Sequence, residues 1–217
     1  LEGKPLHLVH RDVSPHNVFV TYDGQVKVLD FGIAKTLSRE GAATRTGVVK
    51  GKVGYMSPEQ VAGEPLDRRA DVFAAGVILW EMVAARRMWR DIPDVTIMLR
   101  LVNRQIPSLR EVSPDAPEEL VRICDRALAP SVDDRYPTAA ALQADLEAYL
   151  DTTGARTRPR DVGQFVAEAF ADARAQTAAF IQERQRALRE AADGGEHRSG
   201  ATLGVPLSGT LTPNRAA

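Results

Sequence analysis

Three short strings of side chains able to do chemistry follow one another in the first 60 residues of this 217-residue chain. They are His10-Arg11-Asp12 with Asn17 shortly after it, Asp30-Phe31-Gly32, and Ser57-Pro58-Glu59. The oxygens of aspartate and asparagine are ligands that Mg²⁺ prefers, and Mg²⁺ in proteins commonly binds phosphate as well. Each string recurs by chance in unrelated proteins, so the weight lies in their order and spacing.

In that order and spacing, the strings resemble the H-R-D-x-x-x-x-N, D-F-G and A-P-E signatures of eukaryotic-type Ser/Thr protein kinases, in the form found in bacteria. About eight specified positions, at roughly one in twenty each, would coincide with a probability of order 10⁻¹⁰. The resemblance covers residues 1–150 and is to the C-terminal lobe only, because nine residues before His10 cannot hold the glycine-rich loop, the phosphate-pairing Lys and its Glu partner. It implies a mainly α fold with a short β-hairpin at the catalytic loop.

The resemblance implies roles for three side chains. Asp12 matches the catalytic carboxylate, which orients the substrate hydroxyl and accepts its proton. Asn17 and Asp30 match the ligands of Mg²⁺. ATP and Mg²⁺ are therefore the expected cofactors. The expected substrate is a Ser or Thr hydroxyl of a protein, because the stretch 14–16 resembles K-P-x more than the A-A-R of tyrosine kinases.

Four further residues match structural positions of the family. His10 is expected to pack behind the D-F-G turn and not to act as a base. Asp71 resembles the residue that hydrogen-bonds the catalytic-loop backbone. Glu59 and Arg135 resemble the ion pair that ties the activation segment to the lobe. Removing one partner of such a buried pair costs about 3–5 kcal/mol.

Positions 14 and 52 depart from the family pattern together. Ser14 stands where most Ser/Thr kinases have a Lys that contacts the γ-phosphate, and Lys52 stands where the G-T loop after Gly51 has Thr. The two resemble a reciprocal exchange, in which Lys52 reaches the phosphate from the loop side and the Ser14 hydroxyl takes over the hydrogen bond of the Thr. Both are candidate catalytic residues. The alternative is that Ser14 reflects loss of activity and Lys52 is an exposed loop cation. Ser14 also motivates a second hypothesis, that the chain is a catalytically silent kinase-like scaffold that binds partners.

A Gly- and Thr-rich loop over residues 36–57 resembles the activation loop of bacterial kinases. Thr44 and Thr46 resemble its paired phosphorylated threonines. A phosphate adds about −1.5 to −2 charges and pairs well with basic side chains. Phosphorylation is therefore expected to order the loop by docking it on Arg11 and Lys35; the alternative is a solvated loop.

Hydrophobic periodicity predicts the elements that position these residues. β-branched runs at 18–20 and 26–28 flank Tyr22-Asp23-Gly24, where Asp-Gly indicates a hairpin turn. Residues 68–85 are apolar almost all round, which is typical of a helix at the centre of a core. Amphipathic helices are predicted over three further ranges: 94–104, 118–129 and 138–150.

The chain divides into four segments. These are a kinase lobe at 1–150, a polar linker at 151–160, an amphipathic helix at 161–192 and a disordered tail at 193–217. Asp161 is expected to open the helix, with Gln164 in a capping-box arrangement. Because an aromatic stripe is costly to leave in water, the helix either packs back on the lobe or mediates self-association or partner binding.

Composition excludes several classes of protein. With 44% hydrophobic and 26% charged residues the chain is typical of globular domains, which excludes collagen and wholesale disorder. A net charge of −1 predicts no nucleic-acid partner. The single Cys excludes a disulfide scaffold and fits a reducing compartment. The longest apolar run, Val72 to Trp80, is too short to span a bilayer. We expect a cytoplasmic piece of a longer protein, inactive alone, whose membrane anchor, if present, lies outside this segment.

Overall fold

A computed structural model describes residues 8–31, 52–154 and 157–193, without the side chains of residues 190–193. The described residues fall into two compact units that divide between Ala167 and Glu168. Two strands form an antiparallel hairpin, β1 (Val18–Val20) and β2 (Val26–Val28). The helices are α1 (Pro58–Ala62), α2 (Arg69–Ala84), α3 (Asp94–Val102), α4 (Leu109–Val112), α5 (Glu118–Ala127), α6 (Ala139–Thr153), α7 (Pro159–Ala169) and α8 (Ala171–Asp193). Short 3₁₀ turns lie at Pro15–Asn17, Val53–Tyr55 and Val132–Asp134.

Helix α2 lies at the centre of the core, as its all-round apolar sequence predicts. Phe73, Val77 and Trp80 are fully buried. One face packs in a cluster with α3, α4 and the Val53–Tyr55 turn, and another packs with α5 and α6. Gly76 allows the close approach of α5, since a Cβ there would lie 2.9 Å from the Cβ of Ala127. The prediction of a mainly helical lobe with one short hairpin is confirmed.

The hairpin joins the two segments that carry Asn17 and Asp30. Its strands pair Val18 with Val28 and Val20 with Val26, at the positions that the β-branched runs predict. Gly24 closes the turn with φ +79°, a left-handed conformation that favours glycine. Beyond the strands, the amide of Leu29 donates to the carbonyl of Asn17 at 2.8 Å. The hairpin therefore returns the chain to the end of the catalytic loop.

The first turns of α7 contact the tip of this hairpin, backbone against backbone. A Cβ on Gly163 would lie 2.5 Å from the carbonyl oxygen of Tyr22 and 2.8 Å from the amide nitrogen of Gly24. A Cβ on Gly24 would overlap the carbonyl of Pro159. Glycine at both positions is therefore required by the approach of α7 to the turn.

Replacing Gly163 by alanine should destabilise the protein. In a helix free of contacts, Gly→Ala stabilises by about 0.5–1 kcal/mol; here the added methyl meets backbone atoms, and overpacking costs about 1–3 kcal/mol. Urea unfolding followed by circular dichroism measures the sign. Arg160→Ala, an exposed change on the same helix, should stay within about 0.5 kcal/mol of the wild type. A more stable Gly163→Ala protein would show that α7 does not contact the hairpin.

The segment after residue 150 differs from the sequence prediction at its boundaries. α6 continues to Thr153 and ends at Gly154 in a left-handed C-cap conformation. α7 begins at Pro159, since proline suits the first helical position. Asp161 therefore lies in the first turn instead of before it, and its carboxylate accepts from the amide of Arg158 at 3.1 Å. This is the reciprocal half of a capping box.

The single helix expected at 161–192 is instead two helices, α7 and α8, separated at Phe170. No proline or glycine marks this break, so the sequence gives no local signal for it. Large apolar side chains of both helices, and that of Phe170 between them, are exposed; those on the helices are Phe165, Phe180, Ile181 and Leu188. Self-association through this segment stays a prediction, and the tail from residue 194 lies outside the described residues. Within the described ranges, no helix combines the length and apolarity needed to cross a bilayer.

Candidate active site

The catalytic loop, residues 10–17, is held on the first turn of α2 by Asp71. The carboxylate of Asp71 accepts from the backbone amides of His10 at 2.8 Å and Arg11 at 2.9 Å. Its place near a helix N-terminus favours the negative charge. Arg11 has φ +65°, which is strained for a residue with a side chain. Its carbonyl also accepts from the side chain of Gln60 at 2.9 Å. Asp71 therefore helps hold the residue before Asp12 in a conformation that it would not adopt alone.

His10 is buried, and both of its ring nitrogens are engaged. Its Nε2 lies 3.0 Å from the carbonyl oxygen of Leu29, to which it donates. Its Nδ1 accepts from the amide of Asp12 at 3.3 Å. The ring also lies 4.6 Å from the ring of Phe31, centroid to centroid. An imidazole with one donor and one acceptor satisfies both contacts, so the ring links the catalytic loop to the segment of Leu29 and Phe31 on either side of Asp30.

Asp12 is contacted by side chains from two directions. Nδ2 of Asn17 donates to the backbone oxygen of Asp12 at 2.7 Å and to its Oδ2 at 3.1 Å. Nζ of Lys52 lies 2.8 Å from the same Oδ2. The side chains of Lys52 and Asp12 are 18% and 12% exposed, so solvent screens the pair less than it screens an ordinary surface ion pair. The structure thus brings together three of the four residues predicted to be catalytic around one carboxylate.

The fourth predicted catalytic residue, Ser14, differs from its expectation. Ser14 is 1% exposed, and its hydroxyl has no hydrogen-bond partner within the described ranges. The expected transfer of a threonine hydrogen bond to this hydroxyl is therefore not seen. Buried hydroxyls normally have a partner, because an unpaired one costs about 1–3 kcal/mol.

Asn17 and Asp30 offer oxygen donors that suit a hard divalent cation. Asn17 is buried and its amide nitrogen is committed to Asp12, so its Oδ1 is the atom that would coordinate. Asp30 follows the Leu29–Asn17 hydrogen bond and has φ +61°, a left-handed conformation. Carboxylate and amide oxygens are the ligands that Mg²⁺ takes in proteins. These donor atoms therefore suit Mg²⁺. The hairpin supports the assignment, because it returns the chain so that Asp30 follows a residue hydrogen-bonded to Asn17.

Glu59, on α1, and Arg135, just after the Val132–Asp134 turn, form a buried ion pair. Arg135 contacts both carboxylate oxygens of Glu59, at 2.7 and 2.8 Å. Its guanidinium also donates to the carbonyls of Ala129 and Arg69, and it lies 4.9 Å from the ring centroid of Phe73. Burial, the largest single influence, would by itself raise the pKa of Glu59. The hydrogen bonds and charge of Arg135, together with a hydrogen bond from the backbone amide of Glu59 and a smaller contribution from Ser57, outweigh burial and hold that pKa below its ordinary value.

The predicted regulatory residues are not brought together by the described structure. Lys35, Thr44 and Thr46 lie outside the described residues. Arg11 is described, and its backbone is fixed by Asp71 and Gln60. Docking of a phosphorylated loop on Arg11 and Lys35 stays a prediction.

Comparison with known proteins decides the family. The family model described as the protein kinase domain matches residues 5–146. The chain belongs to the protein kinase family. The kinase chain is 46% identical over 172 residues to the tyrosine-protein kinase MasK of Myxococcus xanthus, covering 79% of this chain and 26% of MasK. It is 35% identical over 144 residues to the serine/threonine-protein kinase PrkC of Bacillus subtilis, covering 66% and 22%.

A third relative has the same pattern of coverage. The serine/threonine-protein kinase PknB of Mycolicibacterium smegmatis is 38% identical over 141 residues, which cover 64% of this chain and 22% of PknB. The kinase chain thus spans about a quarter of the length of the curated relatives it matches.

Two contacts of the described residues, one at the catalytic loop and one at the far end of α2, were not predicted from the sequence. Gln60 supports Arg11, and it could have been flagged because it directly follows Ser57-Pro58-Glu59. Glu81, at the far end of α2, accepts from the Tyr55 hydroxyl at 2.7 Å and lines a cleft of about 560 Å³ beside Pro15. Glu81 directly follows the apolar run of α2, and nothing in the neighbouring sequence distinguishes it from a solvent-exposed helix residue.

Proposed function

We propose that the protein containing this chain is a protein kinase that transfers the γ-phosphoryl group of ATP to Ser or Thr hydroxyls of proteins. The observation that carries the proposal is the setting of Asp12. It is a carboxylate fixed by Asn17 and Lys52, on a loop whose backbone is anchored to α2 by Asp71. Phosphoryl transfer depends mainly on positioning and charge stabilisation, and this site supplies both.

The described residues divide the work between them. Asp12 orients the acceptor hydroxyl and takes its proton as the new phosphorus–oxygen bond forms. Asn17 and Asp30 would hold Mg²⁺, which would neutralise charge on the phosphate oxygens. Asp71 keeps the loop rigid under Asp12. His10 links that loop to the segment of Asp30, so the two halves of the site stay in register.

Two observations support Ser and Thr over Tyr as acceptors. PrkC and PknB carry the name serine/threonine-protein kinase, and the stretch 14–16 keeps the proline of the K-P-x pattern. MasK carries the name tyrosine-protein kinase. Tyrosine phosphorylation is therefore the outcome against which the acceptor must be tested.

The test is a phosphotransfer assay on the complete protein with ATP and Mg²⁺, followed by identification of the phosphorylated amino acid. Asp12→Asn should lower kcat by about 10²- to 10⁴-fold, the range for loss of a general base. Asp115→Asn, an exposed change far along the chain, should leave kcat unchanged. Equal activity of the wild type and Asp12→Asn would favour a catalytically silent scaffold, and phosphotyrosine as the main product would overturn the acceptor assignment.

A further inference from the structure

The cation next to Asp12 comes from outside the catalytic loop. The residues from Asp12 to Asn17 include no Lys or Arg. Lys52 instead reaches Asp12 from a segment 40 residues later, with its Nζ 2.8 Å from Oδ2. A lysine carries three donors on a flexible stem, so contact with Asp12 leaves donors for a second anionic group.

The backbone that presents Lys52 is anchored in the core. Lys52 directly precedes the 3₁₀ turn Val53–Tyr55, whose residues are all buried. The carbonyl of Gly54 accepts from the indole nitrogen of Trp89 at 3.1 Å, and a Cβ on Gly54 would lie 2.8 Å from the Trp89 ring. The position of the Lys52 backbone is therefore fixed by core packing, which is what a charge aimed at a reacting group requires.

The residue at position 14 is consistent with this displaced cation. Ser14 lies two residues after Asp12, is 1% exposed, and has a hydroxyl without a partner in the described part of the chain. A structural role would normally give this hydroxyl a hydrogen bond. The catalytic loop thus has at position 14 a small side chain that carries no charge and makes no hydrogen bond among the described residues. Lys52, from a later segment of the chain, supplies the positive charge next to Asp12.

We propose that Lys52 is a catalytic residue whose ammonium group contacts the γ-phosphoryl oxygens of ATP while it holds Asp12. This inference rests on the proposed kinase function. In the reaction, the acceptor oxygen forms a bond to the γ-phosphorus as the bond from phosphorus to the β,γ-bridging oxygen breaks. ADP leaves with that electron pair, and the hydroxyl proton passes to Asp12. Lys52 stabilises the charge on the oxygens of the transferring group, since a fixed cation acts strongly in a partly buried site.

Nucleotide binding separates this role from a merely structural one. In the complete protein with Mg²⁺, Lys52→Thr should weaken binding of a non-hydrolysable ATP analogue by about tenfold, as expected for loss of a charge-assisted contact. Binding of ADP should change less than twofold, because ADP lacks the γ-phosphate. Lys27→Thr, an exposed change on β2, should affect neither nucleotide. Isothermal titration calorimetry measures both affinities.

Turnover gives the second readout. Lys52→Thr should lower kcat by about 10²-fold, the scale for one transition-state donor. Lys52→Arg should lower kcat less, because the positive charge remains. Adding Ser14→Lys to Lys52→Thr should restore part of the loss, so that the two changes are non-additive. Thermal unfolding checks that each variant is folded.

Three results would overturn the proposal. Equal weakening of ADP and the ATP analogue would make Lys52 structural, and unchanged affinities and turnover would make it a surface charge. A more active Lys52→Thr protein would mean that Lys52 blocks Asp12. Failure of the wild type itself to bind nucleotide or turn over would instead refute the kinase function on which the inference rests.

Discussion

Arg135→Leu should destabilise the protein by about 3–5 kcal/mol, because it leaves the carboxylate of Glu59 buried without a partner. The side chain of Arg135 is 0% exposed and that of Glu59 is 4% exposed, so water cannot replace the lost contacts. Loss of the donors to Ala129 and Arg69 adds to the cost. Urea unfolding of the variant and the wild type measures the difference.

Arg110→Leu is the matched control for this substitution. Arg110 pairs with Glu118 on the surface, where the two side chains are 56% and 75% exposed. Pairs of this kind contribute about 0–1 kcal/mol. The double variant Glu59→Met, Arg135→Leu should be more stable than Arg135→Leu alone, since it removes the buried charge as well. Equal effects of Arg135→Leu and Arg110→Leu would contradict the account of the buried pair.

The same pair predicts how stability changes with acid. The pKa of Glu59 in the folded protein lies below the ordinary value of 4.5. As the pH falls below about 4.5, Glu59 is therefore protonated in the unfolded state before it is protonated in the folded state. The free energy of unfolding contributed by the pair declines over this range and is lost once the pH passes below the folded pKa. Above that range the contribution is complete. The Arg135→Leu protein should lack this part of the acid dependence.

Asp71→Asn should lower kcat by about 10²-fold and affect stability less than Arg135→Leu does. The asparagine keeps one acceptor but points an N–H at a backbone N–H of His10 or Arg11. Loss of one charge-assisted hydrogen bond is worth about 1.5–3 kcal/mol, and each 1.36 kcal/mol is tenfold in rate. Arg11 would also be released from its strained φ of +65°, so Asp12 would lose its fixed position.

Steady-state kinetics and thermal unfolding of the complete protein test this expectation together. Asp67→Asn is the control, since Asp67 lies just before α2, is half exposed and pairs with Arg69. It should leave kcat within about twofold of the wild type, as for other surface changes. An Asp71→Asn protein that is as active as Asp67→Asn would mean that Asp71 does not position the catalytic loop.

The predictable parts of the fold are those that short-range patterns specify. The β-branched runs and the Asp-Gly turn predict the bounds of both strands, and the structure has the strands at those residues. Strand alternation and a positive φ at Gly24 depend only on neighbouring residues, so the sequence specifies them. The buried helix α2 followed from an apolar surface on all sides. The contact of Asp71, in the first turn of this helix, with the backbone of the catalytic loop is expected from the family resemblance and is seen in the structure.

The features that sequence reasoning missed depend on contacts between distant segments. Nothing near Gly163 shows that a hairpin tip will lie against it, and nothing near Phe170 marks the end of α7. Gln60 supports the catalytic loop only because the fold brings its side chain to the carbonyl of Arg11, which is distant in the sequence. The geometry of Lys52 and Asp12 is long-range too; it was anticipated because the two departures from the family pattern, at positions 14 and 52, occur together.

The contact between Gly24 and α7 also has a consequence for the order in which the chain can fold. The hairpin turn is synthesised long before Gly163, and translation at about 5–20 residues per second separates the two by roughly 7–28 seconds. A hairpin of two short strands forms within microseconds but is barely stable by itself. During synthesis, the turn of the hairpin that links Asn17 to Asp30 therefore gains its contact with α7 only late, after most of the helical lobe has been made.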